Sequence, residues 1–172
     1  MIQESGIRLR SIKDKHVAGL LKSPRWLRWF FGMDMANAQW IPQEGFGSQL
    51  ILAMRIPSRL QGWFDIIHGG GADFVLHDVA GVAALVHARR HNKVVLGHSI
   101  EVVYERPLPL RSSARVIATI DGQEDGDILR TLGEIRFIDP RDGTEKVHAH
   151  GVLRVKEVDE IRYALRPHHG HR

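Results

Sequence analysis

The stretch from Ala72 to Ala88 constrains this chain more than any other. Read as a helix it is apolar on nearly every side, and such a helix is stable only when the rest of the fold surrounds it. Until His87 near its end, its only titratable groups are Asp73, His77 and Asp78. The chain beyond this helix is patterned as strand. Apolar runs extend from Val94 to Tyr104, Ala114 to Ile120 and Arg130 to Ile138, and a fourth from Lys146 to Val158 alternates through Val147, Ala149, Gly151, Leu153 and Val155 with period two. Gly122 to Gly126 and Asp139-Pro140-Arg141-Asp142-Gly143 supply turns. An earlier strand from Gln49 to Ile56 is closed by Pro57.

One buried helix followed by consecutive strands implies the α+β class, with an antiparallel sheet carrying the helix on one face. A single sheet wrapped around one long central helix is the hotdog architecture. The 172 residues suit one such domain, placed at residues 41–158. Residues 1–40 read as an N-terminal helical arm. Within it Leu9, Ile12, Val17, Leu20, Leu21, Trp26, Leu27, Phe30 and Phe31 lie among Lys and Arg, as two short amphipathic helices broken near Ser23-Pro24. Packing on the sheet or on a partner chain is the expected fate of such an arm. Residues 159–172 form a polar, His-rich tail, read as a frayed terminus rather than a metal site.

Composition narrows the function classes. With no Cys there is no disulfide, no thiolate metal site and no cysteine nucleophile. The 24 Lys and Arg exceed the 20 Asp and Glu by four, a surplus that suits any anionic partner, but they are spread along the chain without a groove-reading motif, so nucleic acid is not the expected one. The first residues lack a basic segment followed by an apolar run, and no 18-residue apolar stretch is expected, which reads as a cytoplasmic protein with no membrane contact.

The chemistry centres on His68-Gly69-Gly70-Gly71, which leads into the helix. The first turn of a helix exposes N–H groups without intrahelical partners, and the helix dipole favours negative charge there. Glycines let a substrate approach those donors because no Cβ intervenes. Hydrolysis of a thioester needs such donors where the carbonyl oxygen becomes negative, an effect of about 3 kcal/mol per donor. Taken alone, three glycines read first as a plain tight turn, and the rest of the chain is needed to favour a site.

The order of Ile67-His68-Gly69-Gly70, a buried helix with an acid, and a strand ending Val103-Tyr104-Glu105-Arg106-Pro107 resembles the hotdog acyl-CoA thioesterases of the phenylacetyl-CoA thioesterase-like group. That group has a His-Gly-Gly lead-in and a strand closing in aromatic-x-x-Pro, and the resemblance runs over about residues 48 to 157. It implies acyl-CoA hydrolysis, a dimer or a tetramer of dimers, and active sites at the dimer interface. No cofactor or metal is implied beyond the coenzyme A of the substrate. The family places an Asp or Glu nine residues after the motif's His, where this chain has His77, and Asp78 stands one residue further on. Either Asp78 takes the acid's role, as general base or nucleophile, or His77 acts as the base itself. On a helix Asp73 and His77 lie roughly 40° apart, whereas Asp78 is displaced from His77 by about 100°.

In this reading the Gly70 N–H polarises the thioester carbonyl, Gly69 and Gly71 admit the substrate, and His68 orients substrate or loop. His98 and Ser99 fall on the strand that lines the site, and Arg89, Arg90 and Arg106 are candidates for the phosphates of coenzyme A. Two alternatives stay open. One is a non-catalytic acyl-CoA-binding or regulatory hotdog protein. The other is a hydroxyacyl-thioester dehydratase, although the His-x-x-x-Pro-Gly stretch of that group is absent.

Overall fold

The computed structural model describes residues 7–11 and 33–159. Its elements are β1 (Ile7–Arg8), β2 (Gln39–Ile41), β3 (Gln49–Arg55), the helix α1 (Gly69–Arg89), β4 (Lys93–Tyr104), β5 (Ser113–Glu124), β6 (Ile128–Ile138) and β7 (Glu145–Asp159). The seven strands form one antiparallel sheet in the order β1-β2-β3-β5-β6-β7-β4. The long helix packs against β3 to β7, which is the hotdog arrangement expected from the sequence. Most of the expected helical arm lies outside the described residues. Of its flanks, Ile7–Arg8 is a strand, Leu9–Ser11 and Met35–Asn37 are single 3-10 turns, and Gln39–Ile41 joins the sheet. The tail beyond Asp159 also lies outside.

The helix forms where Ala, Val and Leu dominate, and the left-handed Asn92 (φ 56°) follows its last turn as a non-glycine stop. Its buried side, with Val75, Leu76, Val79, Ala80 and Ala83, meets Leu50, Leu52, Val116, Ile120, Leu129, Ile135 and Leu153 from the sheet. Leu76 sits over Gly133, where an added Cβ would lie 3.1 Å from its Cδ2. Truncating so tightly enclosed a leucine costs about 2–5 kcal/mol.

The helix is not buried all round. Gly70, Asp73, Phe74, His77, Asp78, Gly81, Leu85 and Arg89 are exposed or half-exposed, and together they occupy a single stripe of roughly 160° at 100° per residue. The apolar sequence hides this stripe because its uncharged members, Phe74, Gly81 and Leu85, resemble the residues of the covered side. By length and mean hydropathy α1 is also long and apolar enough to cross a membrane, contrary to the expectation that no such stretch exists. Its packing against the sheet accounts for that apolar character.

Two features bear on the site. The sheet ends at β4, a twelve-residue strand paired only with β7 and mostly exposed from Gly97 onward, including Ile100, Val103 and Tyr104. A bulge between Gly97 and Ser99 leaves His98 out of register, and Gly151 on β7 permits the close pairing, since a Cβ there would collide with the Glu101 carbonyl oxygen. On the outer face Arg154 bridges Glu101 (2.7 Å) and Glu124 (3.0 Å), as a charged surface in water would. The second feature is the loop before α1. Phe64 and Asp65 are both left-handed (φ 55° and 57°), and Trp63 and Phe64 are 80% and 91% exposed. Gly62 N–H to Ile66 O (2.7 Å), Leu110 N–H to Asp65 O (2.9 Å) and Gln61 Nε2 to Asp65 Oδ1 (3.0 Å) hold the loop in this unfavourable shape. One turn departs from the sequence pattern. The strand β5 continues through Gly122 by a bulge at Ile120/Gly122, and the reversal falls at Asp125-Gly126 instead.

Candidate active site

His68 caps the helix. Its Nδ1 accepts the Gly70 N–H at 3.1 Å, and its carbonyl oxygen accepts the amides of Gly71 (2.9 Å) and Ala72 (3.3 Å). This satisfies the amides of Gly70, Gly71 and Ala72 without the usual Ser, Thr, Asp or Asn cap. The donor that the sequence reading aims at a substrate carbonyl is therefore occupied, and Gly70 becomes available only when the His68 ring turns away. Among the three glycines only Gly69 is demanded by space, because its Cβ would lie 3.1 Å from the Tyr104 hydroxyl.

That contact exposes a pair that sequence reasoning missed. Tyr104, at the end of β4, places its hydroxyl 2.8 Å from the Gly69 carbonyl oxygen and 2.5 Å from Asp73 Oδ1. Burial, followed by the hydrogen bond and the charge of Asp73, pushes the phenol above its ordinary range, so it stays protonated. The Asp73–His77 pairing that helix spacing allows is not what forms. Instead His77 Nδ1 lies 3.4 Å from Asp78 Oδ1, with side chains 53% and 28% exposed. Desolvation raises the Asp78 carboxyl above its usual value, and the neighbouring His77 offsets this only in part. A carboxylate lifted in this way is a better proton acceptor than an ordinary surface Asp.

The other candidates separate into two groups. Arg106 follows β4 directly and lines a cavity of about 390 Å³ with Ile66, Ile67, Gly69, Tyr104 and His148. His148, unremarked in the sequence, is buried. Its ring meets Tyr104 edge-on at 5.7 Å, its Nδ1 lies 2.5 Å from the Arg106 carbonyl oxygen, and its Nε2 has no partner among the described residues. That geometry puts the proton on Nδ1, and burial lowers the pKa. Arg89 and Arg90 stand at the opposite end of α1, about 30 Å from His68 at 1.5 Å per residue. One phosphate cluster of Arg89, Arg90 and Arg106 within a single chain is thus excluded by length. His98 and Ser99 occupy the β4 bulge, five residues or more from Tyr104, exposed and with no side-chain bond to His77 or Asp78. No group of three or more His, Cys, Asp or Glu able to hold a metal occurs among the described residues.

No family model and no curated protein matches the sequence. Solved structures do match the fold. The chain superposes on the thioesterase HI1161 from Haemophilus influenzae with a TM-score of 0.64 and 16% identity, over 95% of this chain and 100% of that one. It superposes on the E. coli PaaI protein of the phenylacetic acid degradation operon with a TM-score of 0.60 and 10% identity, over 82% and 89% of the two chains. The acyl-CoA hydrolase of Staphylococcus aureus, solved with butyryl coenzyme A, coenzyme A and coenzyme A disulfide, matches at a TM-score of 0.57 and 16% identity, over 66% of this chain and 67% of that one. At such identities a shared backbone says nothing of shared chemistry. What it does establish, together with the sheet order and the single long helix, is that this chain is a hotdog-fold protein.

Proposed function

We propose that this protein hydrolyses an acyl-CoA thioester to the free acid and coenzyme A. The observation that carries the reading is the open stripe of α1, where Asp73, His77 and Asp78 are gathered on the one side of an apolar helix that the sheet leaves uncovered. The hotdog neighbours with thioesterase names, one solved with coenzyme A and butyryl coenzyme A, favour the same chemistry.

Asp78 takes a proton from water, the oxygen adds to the thioester carbon, and the carbonyl electrons move onto oxygen. The amides at the start of α1 stabilise that oxyanion. Its collapse breaks the C–S bond, and the departing thiolate takes up the proton, so that water and thioester give acid and thiol. No cofactor enters this balance. Within one chain the parts are too far apart, because Asp78 lies eight residues beyond Gly70, about 12 Å along the axis, whereas catalysis needs both within about 3 Å of the reacting group. The reading therefore requires a second copy, its Asp78 facing the Gly70 of the first across the uncovered stripe and the β4 edge. A homodimer, or a larger assembly built of such dimers, is thus part of the proposal.

The test is incubation with a panel of acyl-CoAs and a thiol reagent, since only hydrolysis releases free coenzyme A. Release that is lost in Asp78→Asn supports the reading. Binding of acyl-CoA without release of thiol would favour the non-catalytic alternative, and loss of water from a hydroxyacyl thioester would favour the dehydratase.

A further inference from the structure

The loop before α1 ends in an apolar tip that stands in water. Trp63 and Phe64 are 80% and 91% exposed, and their rings meet edge to face at 6.5 Å and 73°. Two adjacent large aromatics left outside at a loop tip forgo the burial that ordinarily holds such side chains. Yet the loop is not slack. Phe64 and Asp65 are left-handed, which for a residue as bulky as Phe64 is a conformation its surroundings must enforce. Bridges pairing Gln61 with Ile67 and Ile66 with Pro109 clamp the loop on both sides, and the Ile66 N–H reaches the Trp63 carbonyl oxygen at 3.3 Å. Strain enforced by several bonds points to a surface that must stay in place.

The position of that surface narrows what it can bind. A Cβ on Gly62 would lie 3.1 Å from the Cα and 3.2 Å from the N of His68, so the base of the loop rests directly on the residue that caps α1. With consecutive Cα atoms about 3.8 Å apart, the Cα of Trp63 lies within about 9 Å of that of His68. The pair therefore stands near Gly70, where the thioester carbonyl is held. Two parts of an acyl-CoA flank that bond. The pantetheine side carries amides, which an apolar pair does not answer, and the phosphates and base lie at its far end. The acyl side carries hydrocarbon, and an open aromatic surface suits a chain long enough to lie along it.

We propose, on the basis of the hydrolysis put forward above, that Trp63 and Phe64 bind the hydrocarbon chain of the acyl group and make the protein selective for medium and long acyl chains over acetyl. An acetyl group ends one carbon beyond the carbonyl and leaves the pair in water, whereas each further methylene laid on the rings removes apolar surface from it. The contact lies away from the reacting bond, so it strengthens binding of substrate and transition state alike and shows in KM.

Octanoyl-CoA and acetyl-CoA, each assayed for thiol release by the full chain, give this selectivity as a ratio of kcat/KM. The native ratio should favour octanoyl-CoA, and Trp63→Ala combined with Phe64→Ala should lower it about tenfold or more, through KM for octanoyl-CoA. Trp63→Phe, which keeps a ring, should retain most of the selectivity. A merely structural loop would act through His68 on both substrates equally, so an unchanged ratio in the double variant overturns the proposal. A double variant that light scattering shows to be a smaller assembly than the native chain overturns it too, since the surface then belongs to a second copy. Failure of the hydrolysis itself is a separate result. If neither substrate releases thiol, octanoyl-CoA is titrated against the tryptophan fluorescence of the native chain. A quench that coenzyme A alone does not give, and that Trp63→Phe abolishes, keeps the loop as an acyl-binding surface, and the lack of such a quench overturns it.

Discussion

Tyr104 and Asp73, thirty-one residues apart, meet at 2.5 Å, and the same hydroxyl lies 2.8 Å from the carbonyl oxygen of Gly69. This one phenol ties the end of the last strand of the sheet to the first turn of the central helix. It holds the glycine lead-in against β4 and fixes the wall of the adjoining cavity. Tyr104→Phe keeps the ring against His148 but removes both bonds. Stability should fall by about 1 kcal/mol in urea denaturation, and thioester hydrolysis should weaken as the helix start loosens. A variant with unchanged denaturation would show that the two bonds carry no stability.

Asp78→Asn should separate stability from activity. Because the folded pKa of Asp78 lies above its unfolded value, the ionised form costs the fold stability. The penalty is absent below the ordinary carboxyl value of 3.8 and fully present above the raised folded pKa. Removing the charge should raise the melting temperature at neutral pH and leave it unchanged in acid. Thiol release should fall about a hundredfold or more. His77→Gln is the control, and it abolishes activity only if the histidine is itself the base. A lower melting temperature for Asp78→Asn at neutral pH would contradict the burial argument.

Acid should destabilise the fold through the buried imidazoles of His87 and His148. Desolvation lowers the pKa of His87 and of His148; at His148 the Arg106 carbonyl offsets it in part, and at His87 the nearby cations add to it while Glu157 opposes. With folded values below 6.5, the stability from neutral burial is complete above pH 6.5 and is lost as the pH falls through 6.5 toward the lowered values. Urea midpoints measured across that interval should decline, and His148→Asn should decline less steeply. Parallel pH profiles for the two proteins would remove His148 from the explanation.

Complementation tests the two-chain site. Gly70→Val fills the space beside the first-turn amides, where an added Cβ would meet only the His68 ring, at 3.4 Å. Neither this variant nor Asp78→Asn should hydrolyse thioesters alone. Refolded together in equal amounts, half of the dimers are mixed and each contains one intact site, so about a quarter of the native activity should return. No recovery on mixing would show that Gly70 and Asp78 do not act across an interface.

The sequence made legible what regular periodicity encodes. The buried helix, its glycine lead-in and four of the five long strands lie close to where alternation and apolar runs place them, and the fifth, β5, extends beyond its pattern at the bulge. The open stripe was not legible, because Phe74, Gly81 and Leu85 look the same whether a sheet or a second copy covers them. Nor was the Tyr104–Asp73 pair, since helix spacing favoured the local partner His77 and gave no sign of a strand ending beside Gly69. His148 reads as one polar residue in an alternating strand, and only its pairing opposite Glu105 and Arg106 puts it behind the cavity. Of the three arginine candidates, spacing alone already separates Arg106 from Arg89 and Arg90 once the helix is unbroken.

The two ends of the sheet are unequal. One is β4, twelve residues long with its outer edge unpaired, and the other is β1, two residues long among those described. A row of free amides and carbonyls templates a further strand only where the row is long enough, and among the described residues β4 is the edge that offers such a row. Pairing of two copies edge to edge through β4 would consume both long edges in a single two-fold contact and then stop, which would guard a sheet-rich chain against fibre formation beyond what the charged Lys93 and Glu101 of that strand contribute. The bulge at His98 narrows the regular part of that edge further, to Ser99–Tyr104.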